Sequence, residues 1–372
     1  MRNFTFKGLL LTAVFMLLGC LSIQAANDDL ITKQITITLD KAGTLPNKIA
    51  SSEMYKITNL KIIGEINGTD WNMIREMAGS DYMGKDTEGK LSVLDLSEAK
   101  IVGGGEYYYY YRGYTSNDEI GYCAFYGCSG LTSLTLPAGI TSIGSRAFRG
   151  CSGLTSLTLP AGITSIGEYA FYGCSGLTSL ILPAGITSIS NSAFDGCSGL
   201  TSLTLPAGIT SIGDWAFWGC SGLTSLTLPA GITSIGDRAF WGCSGLTSLT
   251  LPAGITSIDY AAFSGCSGLT SIYVYAEKVP KMGSAVFYDV DKKNCTLYVP
   301  RGTEQDYFLA DVWGDFENIV EFDATGIDKT TTSTDVEEVS RYSLNGQRLA
   351  VPVKGLNIVK YSDGTVRKVV VK

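Results

Sequence analysis

The reactive side chains of this sequence are thiols and carboxylates, since it contains ten cysteines and no histidine. The absence of histidine excludes Ser–His and Cys–His catalytic pairs and histidine-ligated metal centres. Seven cysteines recur at one constant interval, at Cys128, Cys151, Cys174, Cys197, Cys220, Cys243 and Cys266. No C-x-x-C pair that would indicate zinc is present. Neither a metal nor a cofactor is therefore expected.

The spacing of these cysteines also argues against a disulfide framework. Equivalent residues on successive rungs of a stacked array have Cβ atoms about 4.8 Å apart that point the same way. A disulfide needs about 3.5–4.5 Å between the Cβ atoms and converging bonds. Free buried thiols that pack as small apolar groups are the better interpretation. Cys123 and Cys295 lie outside the series and stay unassigned.

Charged residues are sparse where the cysteines recur. Between positions 124 and 272 there are three basic and five acidic residues, namely Arg146, Arg149, Arg238, Glu168, Asp195, Asp214, Asp237 and Asp259. Asp214 and Asp237, one repeat apart, could form a carboxylate pair of the kind that glycosidases use. Exposed acidic turn residues are much commoner, and no polar cluster marks a cleft. The sequence predicts a protein that is not an enzyme, with a divergent hydrolase as the weaker alternative.

These side chains belong to a repeated unit that reads A-F-x-G-C-S-G-L-T-S-L-T-L-P-A-G-I-T-S-I-G-x-x. A fixed period of this length is typical of a solenoid, in which each coil covers its neighbours. Leu134 and Leu136 are two apart and share one face of a strand, while Thr135 between them points outward. The segment 137–139 turns the chain. The residues that then return to the core are Ile140, Ile143, Ala147 and Phe148.

The same pattern extends beyond the near-identical copies. Parallel core strands about 4.8 Å apart are expected at ten positions: residues 60, 94, 134, 157, 180, 203, 226, 249, 272 and 297. Asp70 to Ala78 has the spacing of a helix, with Asp70 or Thr69 as its N-cap. A cap over the last coil is expected from Tyr307, Trp313, Phe316 and Ile319. The run Tyr107–Tyr111, preceded by three glycines that mark a loop, predicts either an exposed loop or a cover over the first coils.

Comparison of the repeats with one another shows three variable positions in each coil. The first column contains Ser145, Glu168, Asn191, Asp214, Asp237 and Tyr260; the second contains Arg146, Tyr169, Ser192, Trp215, Arg238 and Ala261; the third contains Tyr126, Arg149, Tyr172, Asp195, Trp218, Trp241 and Ser264. Two residues of the second column and four of the third are aromatic, against 10% in the whole chain. If the A-F segment is a helical turn, the second and third columns share a face opposite Phe217.

Aromatic side chains at exposed positions are typical of binding surfaces. The candidate ligand-binding residues are Tyr169, Tyr172, Trp215, Trp218, Arg238 and Trp241. A glycan or a glycoprotein is the expected ligand. The alternative interpretation is neutral drift at exposed positions after recent duplication.

The signature F-x-G-C-x-x-L-x-x-L-x-L-P, over residues 57–322, resembles the BspA-type leucine-rich repeats of bacterial surface proteins. The resemblance implies a β-rich, right-handed leucine-rich-repeat solenoid with 23-residue coils, parallel strands and terminal caps. It also implies a cell-surface protein that adheres to host surface or matrix proteins, to glycans or to other cells. A polysaccharide-binding or scaffold component of a surface glycan-uptake assembly is the alternative. A net charge of −7 argues against nucleic acid as a partner.

The two ends of the chain indicate export. Arg2, Lys7 and the apolar run after them predict a signal peptide over residues 1–26, and no other segment is apolar enough to span a membrane. Leu17 to Cys20 resembles a lipobox, so lipidation of Cys20 and peripheral attachment to the outer membrane form a second interpretation. The expected product is secreted or held at the cell surface.

The chain divides into further segments after the signal. An N-terminal cap with degenerate coils covers 27–123, near-identical repeats cover 124–276, and a last coil with its cap covers 277–322. A linker (323–336) leads to a C-terminal β-module (337–372) with a hairpin turn at Asp363-Gly364. This module resembles the type A sorting domain of the type IX secretion route, which implies delivery to the outer surface. A small β-domain without a sorting role is the alternative.

Overall fold

A computed structural model of the chain describes residues 29–110 and 112–324, together with 338–343, 348–349, 351, 354–361 and 366–371. The predicted signal peptide with Cys20, most of the linker, Tyr111 and the turn at Asp363-Gly364 lie outside these residues. The fold is the predicted parallel β-solenoid, and its coils follow the period of the sequence, since Leu134 pairs with Leu157 one repeat later.

Main strands, one in each coil, form a sheet of seven and a sheet of five. They span Ile35–Leu39, Asn59–Ile66, Val93–Ile101, Ser133–Thr135, Ser156–Thr158, Ser179–Ile181 and Ser202–Thr204, and then Ser225–Thr227, Ser248–Leu251, Ser271–Val274, Thr296–Pro300 and Asn318–Phe322. All neighbouring pairs are parallel, and equivalent residues face each other, as Leu249 faces Ile272. The expected count of ten is therefore too low, because strands 35–39 and 318–322 lack the leucine pattern.

In the near-identical repeats the chain then turns at the Pro-Ala-Gly segment and forms a second, two-residue strand, and similar short strands lie at 119–120 and 281–282. These short strands are Glu119–Ile120, Ser142–Ile143 and Ser165–Ile166 in one sheet, and Ser188–Ile189, Ser211–Ile212, Ser234–Ile235, Ser257–Ile258 and Lys281–Met282 in another. The isoleucine of each pair from 120 to 258 is buried, as the sequence predicts. The coil closes through Ala-Phe, whose side chains are also buried.

The phenylalanines form a continuous stack through the core. Ring centroids from Phe125 to Phe263 are 5.1–5.3 Å apart, with interplanar angles of 10° or less, and Phe287 follows at 5.8 Å. Each ring thus packs on the ring of the coil before it and the coil after it. One coil cannot bury its own phenylalanine, so the stability of the core is shared between neighbours.

A helix, α1 (Gly68–Met77), and a 3₁₀ turn (Leu45–Asn47) cover the N-terminal coils. The N-cap of α1 is Asn67, and Asp70 at the third helical position completes a capping box, so the expected N-cap at Asp70 or Thr69 is wrong. The Asp70 carboxylate also accepts the backbone N–H groups of Gly43 (2.6 Å) and Leu45 (2.8 Å), which ties the 3₁₀ turn to the helix.

An antiparallel ribbon of Gly104–Tyr109 and Gly113–Thr115 lies against α1. Tyr108 is fully buried against Trp71, whereas Tyr107 and Tyr110 are more than half exposed. The described part of the run is therefore a cover with exposed tyrosines on its outer side, and Gly104 and Gly105 belong to a strand instead of the expected loop.

The C-terminal cap consists of α2 (Glu304–Leu309) and a 3₁₀ turn (Trp313–Asp315). Tyr307, Trp313 and Phe316 are buried, and the rings of Trp313 and Phe316 lie 5.5 and 5.4 Å from Phe287. Ile319 does not belong to the cap, because it pairs with Leu297 in the last parallel strand.

The C-terminal module is a separate antiparallel sheet. Its strands are Glu338–Ser343, Arg348–Leu349, Gly355–Tyr361 and Val366–Val371, in the order 348–349, 338–343, 355–361, 366–371. These strands lie within the segment 337–372 that the sequence predicts to be a β-module.

Truncating one phenylalanine of the stack should weaken several coils at once. Phe217→Ala is expected to lower the free energy of unfolding by about 3–5 kcal/mol, because the ring is fully buried between Phe194 and Phe240. Hydrogen exchange should show reduced protection in the coils on both sides. Ile181→Thr is the control, since Ile181 is 76% exposed on the strand face. A loss of protection confined to the Phe217 coil would contradict the shared core.

Close approach between coils should make the glycine of each Ser-Gly-Leu segment sensitive to substitution by a larger residue. A Cβ atom at Gly222 would lie 2.6 Å from the carbonyl oxygen of Ser198 in the preceding coil, so Gly222→Ala should destabilise the protein by about 1–3 kcal/mol. At Gly208 the nearest such atoms are 3.7 Å away. Gly208→Ala should therefore be neutral or slightly stabilising. Thermal unfolding followed by circular dichroism compares the two, and equal effects would contradict the packing argument.

Candidate functional site

The variable residues lie on one edge of the solenoid, where each coil turns into its Ala-Phe pair. The second-column residue, from Arg146 to Ala261, has a left-handed backbone with φ of 52–58°. A backbone hydrogen bond then links the third-column residue to the second-column residue of the same coil. For example, the Trp218 N–H donates to the Trp215 carbonyl at 3.1 Å. The segment is thus a β-turn entered through a left-handed residue, and the expected helical turn is wrong.

Backbone hydrogen bonds hold this turn in register with the next coil. The N–H groups of Trp215, Phe217 and Gly219 donate to carbonyl groups of the following coil at 2.7–2.9 Å. Equivalent variable residues therefore lie directly above one another, about one coil apart. We call one surface of the solenoid the variable edge. It consists of the second column (Arg146 to Ala261), the third column (Tyr126 to Ser264) and two flanking residues, Tyr122 and Tyr260.

The first column has a structural role in part of the array. Asn191, Asp214 and Asp237 each accept the backbone N–H of the first-column residue in the next coil, at 2.9–3.0 Å. One oxygen of Asp214 and one of Asp237 are thus engaged in holding the turns together.

At the N-terminal end of the variable edge, arginines and tyrosines alternate from coil to coil. The Arg149 guanidinium lies 4.5 Å from the ring centroid of Tyr172 and 5.8 Å from that of Tyr126. Arg146 lies 5.0 Å from Tyr169 and 5.9 Å from Tyr122. These are cation–π distances. Each arginine is therefore held between tyrosines of the coils before and after it.

At the C-terminal end of the variable edge, tryptophans predominate. Trp218 and Trp241 stack with centroids 5.1 Å apart and an interplanar angle of 7°. Arg238 lies 4.5 Å from the ring of Tyr260 and 5.8 Å from that of Trp215. Trp215 and Trp241 are 38% and 37% exposed, so parts of both indoles face solvent.

The six predicted residues form two groups. Tyr169 and Tyr172 are near each other, with ring centroids 6.1 Å apart, and the other four belong to the tryptophan end. The coil of Ser192 and Asp195 separates the groups. The prediction selected mainly the aromatic residues of the later coils. It omitted several residues of the variable edge that comparison of the repeats, or of the partial coil before them, could have revealed: Tyr122, Tyr126, Arg146, Arg149 and Tyr260.

Asp195 is the buried carboxylate of the variable edge, in the third column between the coils of Tyr172 and Trp218. Its side chain is 9% exposed and its Oδ1 has no hydrogen-bond partner among the described residues. Burial raises the pKa of Asp195 to about 6, against the opposing effects of Arg149 and a hydrogen bond with Ser192. An unpaired buried carboxylate is destabilising when ionised.

The cysteines line the core side of the same turns. In coils 151 to 266 each thiol donates to the phenylalanine carbonyl of the preceding coil at 3.0–3.3 Å, for example Cys174 to Phe148. All nine described cysteines, including Cys123 and Cys295, are buried and free. Burial raises the pKa of Cys128 to about 11 and that of Cys197 to about 12, so these thiols are not activated nucleophiles.

Other features of the described residues that bear on function are metal-binding clusters, clefts and membrane-spanning helices. No group of three or more carboxylates or thiols in the described residues could hold a metal ion. A cleft of about 700 Å³ between the N-terminal 3₁₀ turn and α1 is lined by residues that include Lys48, Met73 and Glu76. Burial raises the pKa of the Glu76 carboxyl, with a smaller contribution from Asp81. Within the described part of the chain, no helix is long and apolar enough to cross a membrane.

The buried carboxylate of Asp195 predicts a pH-dependent stability. Its pKa is higher in the folded than in the unfolded chain, so its favourable contribution is complete below about pH 4 and is lost as the pH rises through about 6. Asp195→Asn should therefore stabilise the protein at pH 7 by about 1–2 kcal/mol and have little effect at pH 4. Chemical unfolding at both pH values measures this difference. An effect equal at the two pH values would contradict it.

Comparison with known proteins locates the repeats in a family. Residues 118–211 and 187–300 match the model of the BspA type leucine rich repeat region, in six copies. No curated protein matches the chain.

Several solved structures are similar to this chain. A leucine-rich repeat protein from Bacteroides ovatus is 24% identical, with 78% of this chain and 70% of that one covered and a TM-score of 0.49. A leucine rich cell surface protein from Faecalibacterium prausnitzii is 22% identical, with 73% and 72% covered and a TM-score of 0.42. The leucine rich repeat protein of T. pallidum is 28% identical over 45% of this chain and 67% of that one, with a TM-score of 0.32. Residues 118–300 are therefore similar to the BspA type leucine rich repeat region in sequence, and the coils observed there have the period of the matched repeats.

Proposed function

We propose that this chain is an exported, non-catalytic repeat protein whose variable edge binds a partner outside the cell. The expected partner is a glycoprotein or glycan of a host surface or matrix, or of another cell. The observation that carries the proposal is that variation between near-identical repeats is concentrated on one edge, where it places aromatic and arginine side chains in contact.

Backbone strain supports a role for the side chains of the second column. A left-handed conformation costs a residue with a Cβ atom about 1–2 kcal/mol, and glycine or asparagine adopts it more readily. Trp215, Tyr169 and Arg238 nevertheless occupy it. Strain of this kind, retained with bulky side chains at an exposed turn, favours a binding role over drift.

Surface delivery is part of the same proposal. Residues 1–26 have the pattern of a signal peptide, with lipidation at Cys20 as the second interpretation. The C-terminal antiparallel sheet is proposed to act as a sorting tail. Detection of that tail on mature protein at the surface of intact cells would argue against its removal during export.

Loss of the tryptophans should abolish partner binding without unfolding the solenoid. In the full-length protein, the combined changes Trp215→Ala, Trp218→Ala and Trp241→Ala should weaken binding to immobilised matrix glycoproteins or arrayed glycans at least about tenfold, as expected for buried aromatic contacts. Circular dichroism and cooperative unfolding check the fold of the variant.

The strand face offers a matched control. Tyr273 and Tyr298 stack there with centroids 4.4 Å apart, away from the variable turns. Combined Tyr273→Ala and Tyr298→Ala should leave binding unchanged. Equal losses in both variants, unchanged binding in the tryptophan variant, or no binding by the unmodified protein would each contradict the proposal.

A further inference from the structure

Arg146 and Arg149 place two positive charges in a single coil of the variable edge. Both are half-buried, and their guanidinium groups lie within 6 Å of tyrosine rings of the preceding and following coils. Arg146 also donates a hydrogen bond of 3.3 Å to the Tyr122 hydroxyl. Packing between rings limits the freedom of long arginine side chains, so the donors are partly ordered before any ligand arrives.

Among the described residues, neither Arg146 nor Arg149 forms an ion pair with a carboxylate. The first-column neighbour of Arg146 in its own coil is Ser145. The nearest acidic positions in the variable columns are Glu168, one coil further on, and Asp195, two coils further on. The two arginines thus form a local positive site in a chain of net charge −7.

Arg238 has a similar aromatic environment but a different electrostatic one. It lies between Trp215 and Tyr260, as Arg149 lies between two tyrosines. Its chain neighbour is Asp237, with Asp214 in the same column of the preceding coil. Acidic residues therefore lie beside Arg238 in its own coil and in the preceding one. The coil of Arg146 and Arg149 contains no acidic residue in its variable columns, and the Asp195 carboxylate that interacts with Arg149 lies two coils further on.

We infer that Arg146 and Arg149, with the tyrosines at 122, 126, 169 and 172, form an anion-binding site for the carboxylate or sulfate groups of an acidic glycan. Guanidinium groups bind such oxyanions with paired, charge-assisted hydrogen bonds. The phenol groups around them add hydroxyl donors and acceptors suited to sugar hydroxyls. This inference rests on the proposed function, because it assigns a ligand class to one end of the same edge.

The spacing and charge of the edge favour a polysaccharide. Equivalent positions on successive coils are 5.1–5.3 Å apart at the phenylalanine stack, so an extended polymer can lie along several coils. Only one coil there is doubly basic, and acidic positions follow it along the edge. A polymer with charges separated by neutral sugars fits this pattern better than a dense polyanion such as nucleic acid.

The test measures binding of the full-length protein to immobilised hyaluronan, in which acidic and neutral sugars alternate, with dextran as the neutral polymer and polyglutamate as the acidic peptide. The unmodified protein should bind hyaluronan, more weakly as salt is raised, and should bind neither of the others. Combined Arg146→Gln and Arg149→Gln should weaken binding at least about tenfold, as expected for loss of charge-assisted hydrogen bonds. Arg301→Gln is the matched control, because Arg301 is an exposed arginine outside the variable edge, and it should change binding by less than about twofold.

A second pair of substitutions, Arg146→Lys and Arg149→Lys, retains the charge without the planar fork. It should give intermediate binding, and it provides the comparison if the glutamine variant unfolds. Absence of binding above dextran, equal binding of polyglutamate, or an equal loss in Arg301→Gln would overturn the inference. If the glutamine pair is neutral while the tryptophan variant loses its partner, the anion site is wrong and the proposed function stands.

Discussion

The structure depends on close stacking of each coil on the one before it. Within a single coil, the backbone cannot complete its hydrogen bonds and the apolar side chains cannot be fully buried. The Phe217 ring is covered by Phe194 and Phe240, and Gly222 leaves only enough room for the carbonyl groups of the preceding coil. The Cys220 thiol reaches back to the Phe194 carbonyl. A substitution at any of these positions alters contacts with the neighbouring coil. Because the same residues recur in each coil, the constraint extends along the whole array.

This constraint explains where the repeats can differ. Core leucines, turn glycines and cysteines contact equivalent residues of both neighbouring coils, whereas the variable side chains leave the turn at its outer edge. Even there the stack imposes a condition, since residues of one column contact each other across coils. Trp218 lies on Trp241, and Arg149 lies between two tyrosines. The edge therefore acts as one continuous surface, whose chemistry depends on the order of the coils.

Much of the fold could be predicted from the period alone. Leu134, Ile143 and Phe148 are buried where the unit places them. The prediction failed where the pattern is absent, as in the strands 35–39 and 318–322, whose pairing is defined by adjoining coils. The prediction also failed at the Ala-Phe turn, because a three-residue spacing fits a β-turn as well as a helix. The left-handed position before this turn is not occupied by glycine, so the sequence does not reveal its conformation. Arg146 and Arg149 were missed because their aromatic partners belong to the neighbouring coils, a full repeat away in sequence.

The order of residues in the third column shows how a stacked edge handles charge. Identical charges on successive coils would lie one rung apart and repel each other, so a repeat that simply multiplied an arginine would be destabilised. Here Arg149 is separated from Asp195 by Tyr172, and two tryptophans follow. In the first column, Asp214 and Asp237 do follow one another, but each has an oxygen bound to a backbone N–H of the next coil. Like charges are thus adjacent where each carboxylate accepts a backbone N–H. Elsewhere, aromatic rings separate the charges and leave the arginine pair for an external anion.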